Sequence, residues 1–148
     1  MLLSIHILAG VTASVISKNV YIGSAAALAS HAVLDSLPHW NFPVPKKIHI
    51  LEFFEKFGPD MIASIIIFGL LLALMPAQWL YICLGAGFAA LPDFLTLFMK
   101  KRPWKQILRS FYQFHNNIQW EIKRTPGLVI QAFTVLVLVS LLLNYGLN

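Results

Sequence analysis

Apolar residues run along this chain in five blocks, covering 2–17, 20–37, 59–75, 77–99 and 126–145. A membrane-crossing helix needs about 20 apolar residues, so the last four are long enough to cross a bilayer and the first is short. Lys18-Asn19 separates the first two blocks and Pro76 the third and fourth, connections so tight that each pair reads as an antiparallel helical hairpin. Two long polar connections remain, 39–58 and 100–125. The first opens on Pro38, Pro43 and Pro45 and continues as KKIHILEFFEKF, with Ile48, Leu51, Phe53, Phe54 and Phe57 alternating with charged positions. That pattern predicts a helix lying at a membrane surface. The second mixes basic residues with Trp104, Phe111, Tyr112, Phe114 and Trp120, as interfacial anchors do. The expected fold is an all-α, polytopic membrane bundle of about five transmembrane helices, one domain over 1–148. It would consist of two hairpin repeats (1–38 and 59–99), interfacial segments 39–58 and 100–125, and a final transmembrane helix, 126–148.

Composition agrees with a membrane setting. Of the 148 residues 58% are hydrophobic and only 11% charged, with mean hydropathy +0.73, against about 25% charged in ordinary soluble domains. Met1 is followed directly by apolar residues, so the first block reads as a retained helix and not as a cleaved signal peptide. The single cysteine, Cys83, lies in an apolar run, excludes an intrachain disulfide and reads as packing. The net charge of +5 reports loop orientation and contact with anionic lipid in such a protein, and no nucleic-acid partner is expected. Ten of the basic residues fall in the two long connections and only Lys18 in a short one. By the positive-inside rule the long connections and the amino terminus are then cytoplasmic.

Against this apolar background the ionisable residues stand out. His31, Asp35 and His39 recur every four positions, within roughly an 80° arc of one helix face. An Asp at the centre of a membrane helix costs about 2.5–3.5 kcal/mol, and such a group needs a partner, a wet cavity or an ion. His6 begins the first span, His39 ends the second at Leu37-Pro38, Asp60 begins the third, Asp93 ends the fourth at Leu91-Pro92 and His115 lies in the second long connection, so all five map to the cytoplasmic side. His6 to His39 is 33 positions and Asp60 to Asp93 is 33, and both intervals close on Leu-Pro followed by a metal-competent side chain. Duplication of a hairpin and coincidence both explain this spacing.

Imidazole and carboxylate without thiolate suit a divalent metal, Zn²⁺ first, with Mn²⁺ or Fe²⁺ also compatible. The candidate metal ligands are His6, Asp35, His39, Asp60 and Asp93. His31 and His39 lie about 12 Å apart on a straight helix, too far to share an ion, unless Pro38 turns His39 back. His31 then reads as a supporting residue, a ligand to a second metal or a proton shuttle, and His115 as a proton shuttle or an interfacial residue. Asp60, behind Gly58-Pro59, is either a ligand or a partner for a helix N-terminus. His49 reads as a surface residue and Gln131 as an interhelical hydrogen bond.

The early His6, the run HAVLDSLPH and the Leu-Pro-His and Leu-Pro-Asp segments resemble the bacterial inner-membrane family called membrane-bound metal-dependent hydrolases, over about residues 5–94. That resemblance implies an inner-membrane protein in which His6 and Pro92-Asp93 match the family's early His and Pro-Asp. Pro38-His39, and the lack of a basic-aromatic His pair near His115, depart from the pattern. Ser24, His31 and Asp35 also fit part of the third motif of phosphatidate-type lipid phosphatases. Ala25 stands where that motif needs Arg, and no Pro-Ser-Gly-His run exists. The functional expectation is a metal-dependent hydrolase acting at the membrane interface on an amphiphilic small molecule, a lipid or isoprenoid phosphate or ester, with membrane lipid as its other partner. The alternative is a non-enzymatic scaffold or a cation or proton carrier. Ile62 to Leu74 carries only Ser64 and Gly69 as breaks in its apolar character, which offers a carrier no continuous polar path.

Overall fold

A computed structural model describes residues 1–42, 50–99 and 108–146. His49 and the basic clusters Lys46-Lys47 and Lys100-Lys101-Arg102 lie outside them. The described chain is all helical, 86% helix without strands. In order come α1 (Leu3–Ser17), α2 (Val20–Asp35), α3 (Ile50–Leu74), a 3-10 turn (Pro76–Gln78), α4 (Trp79–Met99), α5 (Arg109–Ile118) and α6 (Arg124–Leu141), closed by a π turn (Leu142–Gly146). Three stretches are long and apolar enough to cross a membrane, Leu51–Leu74, Pro76–Thr96 and Arg124–Gly146. At 15 and 16 residues, α1 and α2 are apolar but shorter than the usual span of about 20.

α1 is the central helix. It packs on α2 and α4, which also pack on each other, and more lightly on α3 and α6. Ten of its fifteen residues are buried, as expected of a helix covered on all sides. Small residues permit this. A Cβ on Gly10 would sit 2.4 Å from both the Ala89 Cβ and the Gly85 carbonyl oxygen, so α1 and α4 meet backbone to backbone. Gly23 gives the same close approach of α2 to Ser14. α1 ends at Lys18, whose φ of 50° turns the chain, and Asn19 then accepts from the Tyr21 and Ile22 amides to start α2. Thr12, Ser24, Ser64 and Thr134 each donate to the carbonyl four residues back, which satisfies their hydroxyls inside apolar helices.

Both helix-internal prolines depart from the sequence reading. α3 runs unbroken from Ile50 through Pro59 to Leu74, so the end of KKIHILEFFEKF is its first turns and not a separate surface helix. The ring costs the hydrogen bond to the Glu55 carbonyl, which stands near the exposed end of the helix, where water can take its place. α4 likewise passes through Pro92 to Met99, so Asp93 lies inside the helix and does not end it. Cys83, read as a packing residue, is exposed on α4.

The apolar core gathers around α1 from Leu8 onward, where Leu8, Val11 and Val15 meet Leu71, Met75, Ile82, Ala86 and Leu142. The opposite end, at the start of α1 and the close of α2, is polar. There the segment after α2 is stitched to the one before α6. The His39 amide donates to the Trp120 carbonyl at 3.0 Å, the Ile122 amide to the His39 carbonyl at 2.8 Å and the Trp120 amide to the Asp35 carbonyl at 3.0 Å. Gln131 donates to the Trp40 carbonyl at 2.6 Å, so its expected hydrogen bond goes to a connecting segment. Arg124 lies 5.3 Å from the centre of the Trp40 ring. This strap carries α5, and with it His115, over the polar end.

Candidate metal centre

Four side chains from three helices converge here. α2 supplies His31 and Asp35, one turn apart on one face, α4 supplies Asp93 and α5 supplies His115. They form a group that could hold a metal ion, one ligand atom from each lying within 4.8 Å of every other. His31 Nε2 is 3.0 Å from His115 Nε2, 3.2 Å from Asp35 Oδ2 and 3.7 Å from Asp93 Oδ1. His115 Nε2 is 3.5 Å from Asp35 Oδ2 and 3.3 Å from Asp93 Oδ1. Bonds of about 2.0–2.1 Å to a central Zn²⁺ put tetrahedral ligand atoms about 3.3–3.4 Å apart. Five of the six edges fall around that length.

Protonation chemistry agrees with the geometry. His31 Nδ1 is 2.7 Å from the Ala89 carbonyl, which can only accept, so Nδ1 carries the proton. In the neutral ring Nε2 then presents a lone pair to two carboxylates. An outward hydrogen bond from a ligand imidazole to a carbonyl is the usual way a metal-binding tautomer is set. Asp35 is wholly buried; with His31 neutral its Oδ2 has no hydrogen-bond donor among the described residues, and His115 Nδ1 has no hydrogen-bond partner there. A buried carboxylate oxygen without a donor is costly. A cation between the four atoms removes that cost, so the residues fit a divalent metal.

The remaining predicted residues surround this group in other roles. His6 is fully buried, stacks on His31 with ring centres 4.0 Å apart, and holds Nε2 3.2 Å from Asp35 Oδ1, the oxygen turned away from the four-atom cluster. Asp35 Oδ1 also accepts from the Met1 ammonium at 2.7 Å, and that nitrogen is 2.9 Å from His39 Nε2. His39 is indeed turned back beyond Pro38, but its Nδ1 faces the Leu37 carbonyl at 2.8 Å, and it is not among the four. Burial, with the Met1 ammonium beside it, holds the His39 imidazole below its usual pKa. Asp60 spends both oxygens on the start of α1: Oδ2 accepts from the Leu3 amide at 2.7 Å, Oδ1 from the Ser4 amide at 3.1 Å and the Ser4 hydroxyl at 2.6 Å. Leu2 offers α1 no side-chain cap, and Asp60 supplies one from α3. Of its two sequence roles the helix-terminus partner matches this geometry, on a different helix from the one expected.

The geometry therefore groups the residues differently from the sequence. His31 and His115, read as proton shuttles, stand with Asp35 and Asp93; His6, His39 and Asp60, read as ligands, stand around them. The Ala89 carbonyl and the Trp120 backbone had no signal in residue type, because any residue presents those atoms. A cavity of about 330 Å³ opens beside Asp93 and His115, walled by Phe42, Phe53, Phe57 and Tyr112. No family model, characterised protein or solved structure matches the chain.

Proposed function

We propose that the protein is a membrane-embedded, divalent-metal-dependent hydrolase, with His31, Asp35, Asp93 and His115 as ligands and Zn²⁺ as the preferred ion. The observation that carries this is a set of four ligand atoms, five of whose six separations are 3.0–3.7 Å, that includes a buried carboxylate oxygen with no hydrogen-bond donor of its own. When bound, the ion would supply Lewis acidity and, with one of the four side chains yielding its place, a water acidified toward neutral pH. The chain's own residues do the rest. Ala89 fixes the tautomer of His31, and the Met1 ammonium holds the outer oxygen of Asp35 so that the inner one faces the cluster. Asp93, about one-third exposed, opens the group to the cavity where a substrate enters.

Five membrane segments, a cytoplasmic amino terminus and an inner-membrane location complete the reading, supported by the basic connections and the resemblance to membrane-bound metal-dependent hydrolases. An amphiphilic lipid or isoprenoid phosphate or ester suits a cavity with an aromatic wall. A scaffold is the second reading, favoured by the Met1 ammonium on Asp35 and by Asp60 capping α1, since both give a carboxylate a partner without metal. Elemental analysis of protein purified without chelator decides between them. The hydrolase carries about one metal per chain, lost in Asp35→Ala and Asp93→Ala; a metal-free wild type supports the scaffold.

A further inference from the structure

The cavity beside Asp93 and His115 narrows the substrate class, on the premise that the metal-dependent hydrolase reading holds. At about 330 Å³ it sits at the small end of ligand pockets, which run from about 300 to 1,000 Å³, and it suits one acyl chain near its head better than a two-chain lipid. Its rings pack among themselves: Phe42 and Phe53 lie 5.7 and 5.0 Å from Phe57, centre to centre. On the polar part of the wall stand Asn116, Gln119 and Glu121. Among the described residues the Glu121 carboxylate makes no ion pair and the two carboxamides no hydrogen bond, so all three are available to a ligand.

The described lining contains no lysine or arginine. Asp35 and Asp93 together balance a divalent ion, and the Met1 ammonium, which also lines the cavity, offsets Asp60. Glu121 therefore leaves this part of the wall with an excess negative charge beside electron-rich rings. Aromatic faces and a carboxylate attract an ammonium group and repel a phosphate dianion.

We propose that the cavity binds a single-chain amphiphile whose head carries an amine, and that the bond cleaved is an acyl ester or amide of that molecule and not a phosphate ester. The step balances without any oxidant or reductant. The acyl C–O or C–N bond breaks, the water oxygen joins the carbonyl carbon, and a water proton goes to the departing oxygen or nitrogen.

The test is binding of hexyltrimethylammonium, hexanol and hexyl phosphate to the full chain in neutral maltoside micelles, by calorimetry, with metal content measured on the same samples. The ammonium should bind about tenfold or more tighter than the phosphate, with hexanol between. Glu121→Gln should shrink that preference several-fold and Glu121→Lys should invert it, while both keep their metal. Metal-loaded protein that binds the phosphate as tightly as the ammonium overturns the amine assignment and leaves the hydrolase standing. A metal-free wild type that still prefers the ammonium keeps the cavity's ligand class and overturns the hydrolysis.

Discussion

α1 and α3 are both strongly apolar helices, yet they occupy opposite environments. α1 carries Ser4, His6, Thr12 and Ser14, and all four are buried. α3 carries the run Ile65-Ile66 and Leu70, and these are exposed. Water would sort these side chains the other way, placing the large aliphatic run of α3 inside. In lipid, hydrocarbon is the solvent, so small and polar residues go to helix contacts and large apolar ones face out. The short α1, with its hydroxyl and imidazole side chains, can thus sit at the centre of the molecule, and the longer helices surround the polar cluster it meets with α2 and α4.

The sharpest way to break this comparison is at the polar end of the inner helices. Asp35→Asn keeps the shape of the side chain but removes the charge facing two imidazoles. Bound metal should fall from about one equivalent to a trace, an affinity loss of about 100-fold or more, since even supporting residues around a metal cost about 10–100-fold. The check is metal content and competition with a chelator of known affinity. Retention of full metal by this variant would remove the inner helices' distinguishing role.

A packing change in the same helix comes next. Leu8 is 4% exposed, in the core shared by α1, α3 and α4. Leu8→Ala should cost about 2–5 kcal/mol, because the neighbouring helices cannot close fully on the space left behind. Reversible unfolding in mixed micelles measures it, with metal stoichiometry unchanged because α1 contributes none of the four ligand atoms.

Asp60→Asn follows, at about 1 kcal/mol, the usual loss when a helix N-terminus gives up its capping side chain. Bound metal should be unaffected, since both Asp60 oxygens are given to α1. Loss of metal in Asp60→Asn alone would return this residue to the ligand set and join α3 to the polar end of the molecule.

Much of this was legible from the sequence. Helix class, the tight turn at Lys18-Asn19 and the meeting of ionisable residues at one end followed from periodicity, spacing and the cost of charge in lipid. What the pattern could not supply was the allocation of those residues. His31 and His39 lie on one ideal helix face, but α2 stops at Asp35, so His39 leaves the helix and turns toward Met1. His115 sits 84 residues from His31, and it arrives through backbone bonds between His39 and the strand-like segment around Trp120, which no side chain encodes. Pro92 reads as a helix end, yet α4 continues because tight packing on α1 and α2 outweighs one missing hydrogen bond.

The smallest expected effect completes the comparison. Leu70 on α3 is 55% exposed, and Leu70→Ala removes the same atoms as Leu8→Ala. In a micelle or bilayer those atoms touch hydrocarbon both before and after unfolding, so no transfer term is lost, and the lipid chains fill the vacated space as packed helices cannot. The change should stay within about 0.5 kcal/mol, measured in the same mixed micelles. Equal costs for the two leucines would mean that α3 packs against protein on that face, whether in a second copy of the chain or another partner. The inner and outer helices would then no longer be distinguished by what solvates them.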